Sequence, residues 1–242
     1  MSYKNDDIDS TSNNRSKLIK LSATPTGFGE SSDDLSLMEF DSPKPTQHSH
    51  SYFECDEQGL YIGVWDTTDM VETAGQYPCD EFMVILEGSV DIKNNKTGVK
   101  QKVSAGESFI IPQGYDCQWH QQGYLRKFYV IYEPPTRDIP AQPVIESIIK
   151  LPSRITNVNQ SQYRHENFSV DVKGASEINR PLSDIASHLF CYLTSGEITI
   201  EEANGFITLF KAGDAFIAPA NTKFSCHATA NTVMQTVEIK PL

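Results

Sequence analysis

The chain lacks the features that would tie it to a membrane, a nucleic acid or a disulfide framework. Its 242 residues hold no apolar run of roughly 18 residues, the least a bilayer-spanning helix needs. Basic residues are few: 20 Lys and Arg stand against 32 Asp and Glu, a net charge of −12. That balance argues against a phosphate-backbone partner, which requires clustered Lys and Arg. The five cysteines (Cys55, Cys79, Cys117, Cys191, Cys226) are odd in number and widely spaced, with no C-x-x-C pair. They fit reduced thiols better than a disulfide scaffold or a structural zinc site. Histidine is scarce too, with six in all and none between His50 and His120. Residues 1–16 lack the apolar centre of a secretory leader, so a cytoplasmic location is expected. They are also polar enough to be expected disordered.

What is present is a succession of short strands. From Leu60 onward, runs such as LYIGVW, EFMVIL, SVDIKN, SFIIP and RKFYVIY alternate with turn residues. That pattern reads as an all-β sandwich or barrel. Asn94-Asn95 and Thr97-Gly98 suit a hairpin tip, because Asn and Gly tolerate positive φ. Upstream, Leu18 to Leu21 is expected to add an edge strand.

The strand pattern occurs twice. GVKQKVSAGESFIIP (98–112) aligns with GFITLFKAGDAFIAP (205–219), each residue 107 positions from its counterpart. Gly88-Ser-Val-Asp-Ile matches Gly196-Glu-Ile-Thr-Ile within one residue of that offset. The repeat predicts four segments: a mostly irregular stretch (1–50), a first barrel (51–135), a Pro-bearing linker (136–160) and a second barrel (161–242).

Glu81 stands six residues before Gly88, and Gly106 stands five before Pro112, which is followed by Gly114. These spacings resemble the cupin superfamily motifs G-x5-H-x-H-x3-E-x6-G and G-x5-P-x-G-x2-H-x3-N. The stretch from Gly63 to Glu133 is similar to the subgroup called cupin-3. Trp65, Tyr77, Glu81, Gly88, Gly106, Phe109, Pro112, Gly114, Trp119 and Arg126-Lys127 fall on its pattern. The resemblance implies an all-β chain of two tandem jelly-roll (cupin) barrels, each with an open mouth over its site. It also extends to the cupin domain of (S)-ureidoglycine aminohydrolase, a manganese-dependent family. Here the three histidine positions hold Gly75, Tyr77 and Cys117, so neither a metal nor another cofactor is expected.

Strand alternation puts Glu81, Met83 and Ile85 on one face of EFMVIL, and Lys127, Tyr129 and Ile131 on one face of RKFYVIY. If both faces look inward, Glu81 and Lys127 are the candidate catalytic pair, an acid/base and an anion anchor. The competing reading has Glu81 paired with Lys127 or Arg126 merely to brace the barrel. Tyr77, Cys117 and Trp119 are candidate substrate-binding residues, each equally explicable as core packing. His120 lies three residues from Cys117, on the opposite face of a strand, which disfavours a Cys/His dyad. His48-Ser-His50 is the only H-x-H and is expected in a solvated loop. In the second repeat, Leu189 replaces the glutamate, Ser183 and Ile185 the first two histidines, Phe224 the third, and Met234 replaces Lys127. That barrel therefore reads as a degenerate structural partner.

The expected function is binding or conversion of a small polar metabolite, of amino- or ureido-acid type, in the first barrel without a tightly bound metal. The alternative is a non-catalytic binding module or a structural, dimerising pair of barrels. A small-molecule ligand and a homodimer are the expected partners, with no nucleic acid and no membrane.

Overall fold

The computed structural model describes residues 17–29, 40–133, 146–155 and 159–241. The expectations for residues 1–16 and for most of the Pro-bearing linker lie outside these. Among the described residues no helix is long and apolar enough to cross a membrane.

The chain forms two antiparallel β units of the same design. In the first, one sheet runs in the order Ile149–Lys150, Ser108–Ile111, Asp80–Glu87, Leu125–Tyr132, Leu60–Thr67, Gln47–Cys55. A smaller sheet of Met70–Val71, Asp116–Gln121, Ser89–Asn94 and Lys100–Ser104 faces it, with Gly75–Gln76 added beside Asp116–Gln121. Met83, Ile85, Phe109 and Ile111 of the large sheet pack on Val90, Ile92, Val103 and Trp119 of the small one. Alternation produces this, since every second side chain of a strand shares a face.

The second unit repeats the plan, with Ile19–Leu21, Ala215–Ala218, His188–Ser195, Val233–Ile239, Phe168–Gly174 and Gln160–His165 in one sheet. Arg180–Asp184, Lys223–Ala228, Glu197–Glu202 and Ile207–Lys211 form the other. The motif glycine after each site strand, Gly88 and Gly196, takes positive φ (81° and 70°). A Cβ there would lie 2.2 Å from the Tyr124 carbonyl oxygen or 2.6 Å from the Thr232 Cα, so both turns need glycine.

The outward faces of the two large sheets pack on each other. Phe82, Val84, Phe128 and Val130 from the first unit join Phe168, Val170, Phe190 and Val237 from the second in one buried cluster. Phe82 meets Phe190 at 5.6 Å, and Tyr132 stacks on Phe168 at 5.7 Å between ring centroids. A buried polar latch crosses the same boundary. Asp80 accepts hydrogen bonds from the Gln113 backbone N–H (2.9 Å) and the Tyr163 hydroxyl (2.8 Å), and its other oxygen lies 2.6 Å from His165 Nδ1.

The units are also interlocked. Ile19–Leu21, which precedes the first unit, pairs with Ala215–Ala218 of the second, Ile19 opposite Ile217. Ile149–Lys150, which precedes the second unit, pairs with Ser108–Ile111 of the first, Ile149 opposite Ile110. Ile110 and Ile217 are repeat equivalents, so the two arms exchange places by one rule. The edge strand expected at Leu18 to Leu21 is thus present as Ile19–Leu21, and the linker carries a strand of its own, Ile149–Lys150. The strand Gln47–Cys55 also corrects the loop expected around His48 and His50. His48 pairs with Asp66 both in the ladder and through Nδ1 to Oδ1 at 2.8 Å.

Candidate functional site

The interior of the first barrel opens into a cavity of about 530 Å³. Strands of both sheets line it, and most of its polar side chains come from five pieces of chain. Asp80–Glu87 supplies Glu81, Leu125–Tyr132 supplies Lys127, Tyr129 and Ile131, Leu60–Thr67 supplies Tyr61 and Trp65, and Asp116–Gln121 supplies Cys117 and Trp119. The segment between Leu60–Thr67 and Asp80–Glu87 contributes Glu72, Gly75, Tyr77 and Cys79. All five residues singled out in the sequence therefore meet in one space.

Glu81 and Lys127 are both buried, 3% and 7% exposed, and burying either charge alone is costly. They solve this mutually. The Lys127 ammonium donates to Glu81 Oε1 at 2.8 Å. Glu81 faces Ile131 and Lys127 faces Ile85, so the lysine side chain reaches along the sheet, and its ammonium also donates to Met83 Sδ at 3.2 Å. Arg126, the other partner considered, instead points out to Asp66 at 3.9 Å and stacks near Phe28 and Tyr124. The Tyr77 hydroxyl donates a close hydrogen bond to Glu81 Oε2.

Two tryptophans complete the arrangement. Trp65 and Trp119 meet edge to face at 6.3 Å and 89°, and the Lys127 ammonium lies 4.8 Å from each ring centroid. Such cation–π contacts hold a cation where little water reaches it. Gln47 Oε1 and Gln121 Oε1 accept from the two indole N–H groups and fix the rings.

A second carboxylate joins the site. Burial and the charge of Glu81 push the Glu72 carboxyl up to about 7, against the opposing pull of Lys127. Burial, then Glu81, hold the Tyr77 phenol well above its ordinary range, so it stays a hydrogen-bond donor. Burial also raises the Cys117 thiol to about 12, with Glu72 and Asp116 adding to the shift, which rules it out as a thiolate nucleophile at neutral pH. His120 turns to the other side of its strand, its Nε2 2.7 Å from Gln118 Oε1, and does not face Cys117. Glu72, in M-V-E-T-A-G, carries no motif signal in the sequence. Trp65 was visible only as a motif position. Neither the Glu72 carboxylate nor the double indole wall follows from strand alternation.

The architecture around the family's ligand positions survives without ligands. Gly75 and Cys117, the first and third histidine positions, are cross-strand partners, and Tyr77 sits beside them. The fold is that of the cupins. Residues 56–129 match the family model described as an EutQ-like cupin domain. Among solved structures, a protein of unknown function of the DUF861 family from Pseudomonas syringae pv. tomato is 17% identical with a TM-score of 0.64. That match covers 91% of this chain and 98% of that one. A cupin 2 conserved barrel domain protein from Leptotrichia buccalis is 15% identical with a TM-score of 0.58, covering 85% and 93% of the two chains. Ylba from E. coli, also of the DUF861 family, is 12% identical with a TM-score of 0.56, covering 88% and 89%. No curated protein matches the chain in sequence.

Many cupins hold a metal, and the donor set here does not suit one. Gly75 has no side chain, Tyr77 keeps its proton, and the Cys117 thiol is far from its ionised form. The Lys127 ammonium occupies Glu81 Oε1, the oxygen a cation would need. Among the described residues no group of three or more His, Cys, Asp or Glu is clustered in a metal-binding arrangement. No chemical step is therefore assigned to a metal.

Proposed function

We propose that the first barrel is a small-molecule site for a polar metabolite carrying both a carboxylate or carbonyl and an amine, as amino and ureido acids do, and that it works without a tightly bound metal. The observation that carries this reading is the Tyr77–Glu81–Lys127 chain at the wall of a cavity with a second, neutral-range carboxyl, Glu72. Exposed lining residues Glu54 and Glu133 make the opening acidic and favour an amine there. Lys127 is the single cation of the lining and suits the ligand's oxygen end. Its ammonium still has donor capacity beyond Glu81, because the two indole faces satisfy charge but accept no conventional hydrogen bond.

Glu72 supplies what a proton transfer requires. A carboxyl titrating near 7 both releases and takes up a proton at neutral pH, so it is the general acid/base of this site, while Glu81 stays committed to Lys127 and Tyr77. Of the two roles the sequence leaves open for Glu81, acid/base or brace, the residue here takes the brace, orienting the lysine.

Thermal unfolding with N-carbamoylglycine, glycine and related amino and ureido acids tests the reading, since a pocket ligand stabilises the folded state by mass action. Members of this panel are expected to raise Tm in the native protein and not in Lys127→Met. A panel without effect, or one equally effective on Lys127→Met, would sink it.

A further inference from the structure

The second barrel encloses a cavity of its own, about 300 Å³. Leu189 and Met234 stand where the first barrel has Glu81 and Lys127, yet the cavity is not apolar throughout. Lys173 Nζ donates to Glu238 Oε1 at 2.7 Å within it. The register explains how. Glu81 is opposite Ile131 in the first barrel, and Leu189 is opposite Glu238 in the second. Lys127 is opposite Trp65, and Met234 is opposite Lys173. Each charge has moved to the neighbouring strand on the same rung, so the ion pair is rebuilt on other residues.

The lining also holds the exposed carboxylates Glu177 and Asp184, and two of its further groups, Thr236 and Arg180, are incompletely partnered. Thr236 is wholly buried, and its hydroxyl has no hydrogen-bond partner among the described residues. Buried polar atoms are almost always bonded, so an orphaned hydroxyl on a cavity wall calls for a partner from within the cavity. Arg180 lies with its guanidinium 4.7 Å from the Phe224 ring centroid. Its Nη2 donates to the Ser183 carbonyl and hydroxyl oxygens and to the Asp184 carbonyl, and no carboxylate pairs with it among the described residues. Its positive charge is thus held in place without being neutralised.

We propose that this cavity is a second ligand site, for a small monocarboxylate with an apolar body. Arg180 binds the carboxylate, for which its planar fork is suited. Leu189, Ile198 and Phe216 enclose the body, and Thr236 meets a polar substituent. The site is independent of the one in the first barrel and different in chemistry.

Calorimetric titration of the full chain with hexanoate and with benzoate tests this, with benzylamine as the oppositely charged control. Saturable, one-to-one binding of an acid is expected, with none of the amine. Arg180→Gln should weaken it roughly tenfold or more, the loss of one charge-assisted contact. Ala186→Trp, at an exposed position of the lining, should block the mouth without disturbing the core. Glu81→Leu with Lys127→Met, which removes both charges of the other barrel and leaves no orphan charge, should leave the affinity unchanged. Acids that do not saturate the native protein, or that bind Arg180→Gln or Ala186→Trp as well as native, overturn the proposal. So does binding lost in the double variant while its unfolding midpoint stays near native, which would place the acid in the first barrel instead.

Discussion

The two barrels carry the same ion pair on different residues. In the first, a fully enclosed Glu81–Lys127 pair is backed by two tryptophans and Tyr77. In the second, Lys173–Glu238 sits at a similar distance, 2.7 against 2.8 Å, with no aromatic cage and with side chains 19% and 33% exposed. Matched position by position, the second copy has lost both charges. Matched rung by rung, it has kept them. What the two barrels share is an ion pair in the same layer of the interior, supplied by different strands. The environments differ more than the distances do, and environment decides what a charge pair is worth.

That contrast can be broken first at the lysines. Lys127→Met leaves Glu81 charged and buried without its cation, only the Tyr77 hydroxyl remaining, and should lower the unfolding free energy by about 3–5 kcal/mol in urea titration. Lys173→Met, at a half-exposed pair, should cost less than about 1 kcal/mol. Equal losses would mean that the tryptophan cage and the depth of burial contribute nothing. A smaller effect is expected at Glu72, the second carboxyl of the first barrel's cavity. Its folded-state pKa is raised from 4.5 to about 7, so between those values the folded chain binds a proton that the unfolded chain has released. Stability therefore falls as pH rises through that window. Glu72→Gln should remove this slope, stabilising the protein by on the order of 1–2 kcal/mol at about pH 8 and by nothing near about pH 4. A slope unchanged in the variant would assign it to another group. Smallest of all should be the stability change in Glu81→Leu with Lys127→Met, which gives the first barrel the residues of the second. Removing both partners leaves no orphan charge, so stability should return to within about 1 kcal/mol of native while the Tm response to ureido acids disappears. A double variant as unstable as Lys127→Met alone would show that Glu81 has other essential bonds.

Much of this was legible in the sequence for local reasons. The alternation in EFMVIL and RKFYVIY placed Glu81 and Lys127 on shared faces, and the 107-residue repeat marked two copies of one architecture. Cys117 and His120 were separable by strand geometry alone, and they face opposite ways. Other features were not legible. His48 and His50 lie in a strand because Leu60–Thr67 offers a ladder for them to join, and nothing in S-P-K-P-T-Q-H-S-H announces that partner. Glu72 belongs to the site because Gly75–Gln76 is drawn against Asp116–Gln121, a pairing more than forty residues apart in sequence.

By itself the sequence determined most of the barrel strands from Leu60 onward, their alternating faces, the glycine turns and the duplication, because each depends on neighbours along the chain. Only the tertiary structure decided which faces met. It packed the two large sheets together, exchanged the arms Ile19–Leu21 and Ile149–Lys150 between the barrels, and brought Lys173 to Glu238 across strands the alignment had no reason to connect. Those contacts are set by strand order and register, which link residues far apart in sequence and are fixed only when the whole sheet closes.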